Sequence, residues 1–276
     1  MSSNDTRDEK PQFVLPLVVR IEKAAPPART DALETAARAV LEILADERSL
    51  GEGEWAQAMT DWQDARIRKV VRRARGAEWR RAAALPGITV TGTGTDAGTD
   101  AGTGTGTGAG TDAGTDAGTG TGAGTGPGAE GEAGVVPAAE VRVFPPVPLD
   151  GWPKELAKLQ VSGTDLDDPV EPGPVPEDTV VLWLNPELDM SAGKTMAQAG
   201  HGAQLLWWEL SDADRKSWRE AGFPLAVRTA DPERWARLTA GGLPVVRDAG
   251  FTEIAPGSCT VVAEGSERVG GRLRLR

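Results

Sequence analysis

One cysteine and one histidine are all that this 276-residue chain has of either residue. A lone Cys259 excludes an internal disulfide and any multi-cysteine zinc site. It lies in the alternating stretch 258–262 (SCTVV) and reads as a side chain packed against a sheet. Long apolar runs are missing too: none approaches the ~20 residues that a membrane span needs. The first ten residues, MSSNDTRDEK, lack the apolar core of a secretory leader. These absences lead us to expect a soluble cytoplasmic protein without membrane contact. Excess basic charge is also absent, since the net charge is −11. The acidity is local, however: residues 91–178 hold 15 acidic and 3 basic side chains, and the flanking parts are near neutral. A low global charge does not exclude a nucleic-acid partner, because binding depends on a local basic face.

The remaining residues are organised in two stretches around a low-complexity middle. Phe13–Arg20 reads as a strand, with Pro16 expected at an edge or bulge. Pro26-Pro27 breaks the chain, and Thr30-Asp31 looks like the cap of a helix through Leu33, Ala36, Ala37, Val40, Leu41 and Leu44. A short helix carries Trp55, Met59 and Trp62. Residues 66–81 (RIRKVVRRARGAEWRR) hold eight basic side chains around a strand at 67–71. A helix starts near Glu78-Trp79, and 88–90 is a short strand. Residues 91–134 are almost wholly Thr, Gly, Ala and Asp, which offers nothing large to bury and reads as a flexible acidic insert. Val141–Phe144 resumes as strand. Residues 146–178 are Pro- and Asp-rich and read as a linker with one helical piece at 154–159. The last hundred residues give strand, two helices, then strand 225–228, helix 232–240 and strands 245–247 and 260–263. The tail RVGGRLRLR is basic and expected to fray.

The two stretches repeat. Trp62, Val71-Arg72 and Trp79 share the spacing W-x8-V-R-x6-W with Trp218, Val227-Arg228 and Trp235. Each is followed by Leu-Pro and a short strand. This predicts an α/β protein of two tandem copies of a small mixed four-stranded sheet, helices on both faces in three α/β/α layers, with the insert in the last β–β connection of the first copy. The copies are chemically unequal. The Leu-Pro count puts Val90 where the second has Asp248, and the strand count puts the neighbourhood of Arg29 where it has Lys194. One active site would therefore belong to the second copy.

That copy opens on 179–210, a strand, a turn and a long helix. Lys194, Gln198 and His201 are spaced i, i+4, i+7 and share one helix face. The Ala-Gly-Lys-Thr turn at 192–195 invites a phosphate-loop reading, but the glycine needed five residues before Gly193 is Leu188. A second cluster, RDAGFTEIAPGSCT at 247–260, puts Asp248 at a strand's end with Thr252 four residues on. Together GKTMAQAGH and DAGFTEIAPGS resemble the type 2 peptidyl-tRNA hydrolase family. The first family pattern matches at Gly193, Lys194, Ala197, Gln198 and His201. The late pattern matches at Asp248, Ala249, Gly250, Thr252, Ile254, Pro256, Gly257, Ser258 and Thr260. The resemblance covers about 179–265 and extends faintly, through the repeat, to 13–145. Two positions depart from the family: a second turn lysine is replaced by Ala192, which lowers positive charge where a tRNA phosphate would lie. The late glutamine is Glu253, which adds an anion.

The resemblance implies a cytoplasmic hydrolase of the ester joining peptide to tRNA, with no metal and no organic cofactor. It implies a degenerate copy at 12–145, the linker at 146–178, a catalytic domain at 179–265 and a tail at 266–276. Lys194, His201, Asp248 and Thr252 are expected to be catalytic, and Gly193, Gln198 and Ser258 to bind substrate. The basic stretch, through Arg68, Arg72 and Arg75, is expected to hold the tRNA body. The tandem copies would mimic a dimer, or the chain would form a homo-oligomer. Each residue also has a plainer role: His201 packed behind the strand, Lys194 solvated, Asp248 forming a turn, Gln198 bonded to the sheet, the arginines guarding a strand edge. A non-catalytic RNA-binding or interaction protein that keeps the fold is the alternative.

Overall fold

The computed structural model describes residues 7, 10–94, 136–250 and 253–274. Most of the acidic insert, most of the leader and Thr252 lie outside the described residues. The chain builds two mixed sheets. The first runs β1 (Phe13–Arg20), α1 (Arg29–Ala45), a 3-10 turn, α2 (Ala56–Asp64), β2 (Arg68–Ala74), α3 (Gly76–Ala83), β3 (Ile88–Thr91) and β4 (Glu140–Val143). A two-residue β5 (Val147–Pro148) and a short α4 (Lys154–Ala157) follow. The second runs β6 (Val180–Leu184), α5 (Ala192–Glu209), α6 (Asp212–Glu220), β7 (Leu225–Thr229), α7 (Pro232–Ala240), β8 (Val245–Arg247) and β9 (Cys259–Glu264). Strand order is β2-β1-β4-β3 in one sheet and β7-β6-β9-β8 in the other. The two orders are the same, as the repeated spacing predicts. The first sheet has a fifth strand, β5, beside β1, where four strands were expected.

The shared tryptophans explain the repeat physically. Trp62 is fully buried and its indole N–H donates to the carbonyl of Arg68 at 2.8 Å; Trp218, equally buried, donates to Pro224 at 3.1 Å. Each ring fixes the chain six residues on, where the next strand starts. Trp79 and Trp235 pack on the outer faces of the two sheets, with Ala82 and Leu156 in one and Leu238 and Leu243 in the other. Between the sheets, α1 and α5 lie against each other. One apolar cluster runs from Leu15, Leu17, Leu33 and Leu41 through Met196 and Leu206 to Leu182. The units therefore share a core, and each sheet has its own outer helices.

Four sequence expectations change. Pro16 lies in β1, a central strand, not at an edge. Its carbonyl accepts from Phe144 at 3.1 Å, so its missing N–H points at the gap between β4 and β5, where Pro145-Pro146 interrupts the ladder and no ladder partner goes unmet. Helix α1 starts at Arg29, its N-cap Ala28 makes no side-chain cap, and Asp168 from the linker instead takes both the N–H and the hydroxyl of Thr30 at 2.7 Å. The linker is thus a packed strap: its Thr164 accepts the Gly193 N–H at 2.9 Å and Leu166 is in the core. The tail does not fray at its start, because Val269 is buried and Gly265 donates to Leu273 at 2.7 Å.

Candidate active site

Strands β6 and β8 run in the same direction, both antiparallel to β9. Their carboxyl ends meet the N-terminal turn of α5, the usual ligand position in an open α/β sheet. Ser191 caps α5, accepting from the Lys194 N–H at 3.2 Å. Lys194, third in the helix, sits where the helix dipole disfavours a cation. A carboxylate offsets that cost: Lys194 Nζ is 2.6 Å from Asp248 Oδ2, and the two side chains are only 12% and 9% exposed. One turn further, Gln198 donates its amide to the same Oδ2 at 2.7 Å. Its own carbonyl accepts from the Thr260 hydroxyl at 2.6 Å. The other oxygen of Asp248 accepts the Gly250 N–H at 2.7 Å, and Gly250 has φ +78°, a conformation that glycine adopts without strain. Asp248 is thus oriented by three donors from two elements.

His201, a further turn along, is partly buried and lines the same cleft of about 430 Å³. Its Nδ1 is 3.1 Å from Lys69 Nζ of β2. Burial, and then the positive charges of Lys69 and Lys194, push its pKa well below the usual imidazole value. The cleft is composite, because β2 and Ile67 of the first unit form one wall and α5 with the loop after β8 the other.

The expected residues separate into groups. Lys194, Gln198, His201 and Asp248 line one cleft. Thr252 lies outside the described residues, although its neighbour Glu253 lines the cleft mouth. Gly193 lines it as well, but its N–H is taken by Thr164, and a Cβ there would come 2.8 Å from the Thr164 hydroxyl. Ser258 turns its hydroxyl to Ala255 at 2.7 Å, in the turn that carries Asp248. Arg68 lines the cleft. Arg72 instead stacks on Trp152 at 4.4 Å and donates to the carbonyls of Ala157 and Leu159. Arg75 is exposed at the start of α3, away from the cleft lining.

The first unit's counterpart is closed. Asp31, third in α1 as Lys194 is in α5, is buried. Its carboxylate accepts the N–H groups of Thr93, Gly94 and Ala139 at 2.7–3.2 Å. Val90 pairs with Val141 as Val246 pairs with Val261, so the sheet register puts Val90 at the position of Val246 and not of Asp248, and the loop starting at Gly92 follows it. A Cβ on Gly92 would meet Asp31 Oδ1 at 2.2 Å. Helix cation with loop carboxylate in one unit becomes helix carboxylate with bare loop backbone in the other.

The family model described as Peptidyl-tRNA hydrolase PTH2 matches residues 179–269, the stretch that carries this site. The chain is similar to the peptidyl-tRNA hydrolase of Pyrobaculum aerophilum, with 36% identity over 114 residues, 35% of this chain and 95% of that protein. The chain belongs to the peptidyl-tRNA hydrolase family. Peptidyl-tRNA hydrolase 2, mitochondrial, of Homo sapiens is 32% identical over 139 residues, 44% of this chain and 78% of that protein. The relative from Methanocaldococcus jannaschii is 31% identical over 115 residues, 35% and 97% of the two chains. Family membership thus rests on the second unit. Among the described residues no helix is long and apolar enough to cross a membrane.

Sequence reasoning missed Lys69, Gln204 and Thr164. Lys69 was legible in principle. Leu15 pairs with Lys69 as Val180 pairs with Leu225, so the repeat spacing puts a lysine where its counterpart is a buried leucine.

Proposed function

We propose that the chain hydrolyses the ester bond of peptidyl-tRNA, releasing tRNA and peptide, with residues 179–265 as the catalytic domain and 12–145 as a degenerate copy that walls the substrate cleft. The observation that supports this most is the nearly buried Lys194–Asp248 pair, joined by Gln198 at the mouth of a cleft in the family-matched segment. Ester hydrolysis needs a positioned water and a stabilised tetrahedral oxyanion. Asp248, held by its donors, orients the water, with Thr252 beside it in sequence. Lys194 is the nearest cation to the developing oxyanion or the terminal phosphate. His201 serves as a neutral donor or acceptor deeper in the cleft. Arg66 and Arg68 on the facing wall meet the acceptor end of the tRNA, a sequence-independent contact. Gly193 and Ser258 act by shaping the turns that hold Lys194 and Asp248, and Arg72 and Arg75 would meet the tRNA body outside the cleft.

Deacylation of an N-blocked aminoacyl-tRNA by the purified chain tests the reading. Asp248→Ala should lower kcat/KM by at least about 100-fold while tRNA binding persists. Wild-type turnover that Asp248→Ala leaves intact would remove the reading, and tRNA binding without wild-type turnover would make the chain a binding module.

A further inference from the structure

Lysine is an expensive residue to bury. Lys69 is 8% exposed, faces α5 from β2, and occupies the position that Leu225 fills in the second unit. Packing alone is met there by a leucine. The Lys69 ammonium has three N–H donors and no acceptor. It has three electron-rich neighbours: His201 Nδ1 at 3.1 Å, Gln204 Oε1 at 2.5 Å and the face of Trp62, whose centroid is 4.8 Å away. His201 and Gln204 are on α5 of the family-matched unit, whereas Lys69 and Trp62 belong to the other.

We propose that Lys69 is a positioning residue for this site: its ammonium donates to His201 Nδ1 and fixes the neutral imidazole tautomer whose proton is on Nε2. The first unit thereby completes the second unit's chemistry. The proposal rests on the hydrolase reading for its consequence in catalysis, but its geometry stands apart from it. A donor on Nδ1 leaves the only ring proton on Nε2, the nitrogen away from Lys69, so His201 meets the substrate as a donor. Two cations cannot comfortably sit 3.1 Å apart, and burial lowers the pKa of both Lys69 and His201. The imidazole, with the lower ordinary value, is the one that gives up its proton. The order is that of a buried group orienting a catalytic imidazole from behind, with an ammonium acting on Nδ1 as donor.

The single histidine makes the test direct. In the full chain labelled with ¹⁵N-histidine, two-bond ¹H–¹⁵N correlations at pH 7.5 should show one species protonated at Nε2. In Lys69→Met the signal should become a mixture of tautomers. With N-blocked aminoacyl-tRNA, kcat should fall about 10- to 100-fold, the loss seen when the partner that orients a metal-binding histidine is removed, with KM little changed. The double variant Lys69→Met/His201→Asn should be no slower than His201→Asn, because Lys69 acts through the ring. Where Lys69→Met unfolds, Lys69→Leu with Gln204→Leu removes both buried polar partners together and carries the same measurements. A wild-type ring protonated at Nδ1, an unchanged tautomer without the lysine, or additive losses would each overturn the proposal. A wild-type chain without turnover would sink the hydrolase reading, and the tautomer measurement would still decide the role of Lys69.

Discussion

Asp248 shows how much a single side chain depends on the hydrogen bonds that hold it. Its Oδ2 is held by Lys194 and Gln198, and Gln198 is held by Thr260, which is fully buried. Thr260→Val keeps the shape and removes the donor, leaving a buried amide oxygen unsatisfied. That should cost about 1–3 kcal/mol in urea unfolding and reduce turnover by loosening Asp248. Glu253, which departs from the family glutamine, is no stray anion: its carboxylate accepts the Ser191 N–H and hydroxyl at 2.9 and 2.8 Å, capping α5 where negative charge is favoured. His201 gives a pH prediction. Its folded pKa is depressed below the ordinary 6.5, so below that pH the unfolded chain binds a proton that the folded chain refuses. The stability this group contributes is complete above about 6.5 and is lost as pH falls through the folded value, with a slope approaching about 1.4 kcal/mol per pH unit. The stability difference between wild type and His201→Gln, followed by urea titration from pH 7.5 to 5, should shift in favour of the variant. A difference that stays flat would contradict the neutral buried imidazole. That Lys194, Gln198, His201 and Asp248 share one cleft was legible because helix spacing and a strand end place them. The repeat spacing marks Lys69 as a lysine where its counterpart is a leucine, but not what it touches, because its partners are 132 and 135 residues away on another element.

Helix α5 carries the site and also forms the contact between the units, and Gly200 lets it do both. A Cβ there would come 2.9 Å from Val40 Cγ2 of α1 and 3.3 Å from Lys69 Cδ. Gly200→Ala gains up to about 1 kcal/mol of helix propensity. Overpacking against a stiff β-branched neighbour costs about 1–3 kcal/mol. The net change should be destabilising, with a lower urea midpoint and an unchanged m-value, and a more stable variant would mean that α1 yields easily. Among the elements, the second unit was legible almost strand for strand, because its apolar runs alternate cleanly with capped helices such as that starting at Asp231-Pro232. The first was legible less well. Strand β2 starts at Arg68, after Ile67 at φ +45°, and extends to Ala74 because Arg73 pairs with Gln160 of the linker. That pairing, like the Asp168 cap on α1, comes from chain read as an open linker. Pro- and Asp-rich composition shows that a segment forms little regular structure; it does not show whether the segment packs.

At the scale of the whole chain, the two units are packed as one body. They share the apolar cluster that α1 and α5 build. The edge of β7 is closed by the first unit: Glu34 accepts the Val227 N–H at 3.1 Å and pairs with Arg228 at 2.9 Å. The strap ties both inner helices, through Asp168 to α1 and Thr164 to α5. The match to the P. aerophilum relative takes in 95% of that protein over 114 residues, so that relative is about one unit long. A unit of that length leaves the α1-facing side of α5, where Gly200 meets Val40, in water unless something else covers it. The fragment 179–276 should therefore not be a cooperatively folded monomer. Sedimentation across a concentration series should show self-association, and urea unfolding should depend on protein concentration. Adding the separate fragment 1–178 should convert it to a one-to-one complex, because the Glu34–Arg228 pair and the Thr164–Gly193 hydrogen bond exist only between the halves. A fragment that stays monomeric at all concentrations and unfolds in one sharp transition would show that the second unit owns its core, and that the first is an appendage to it.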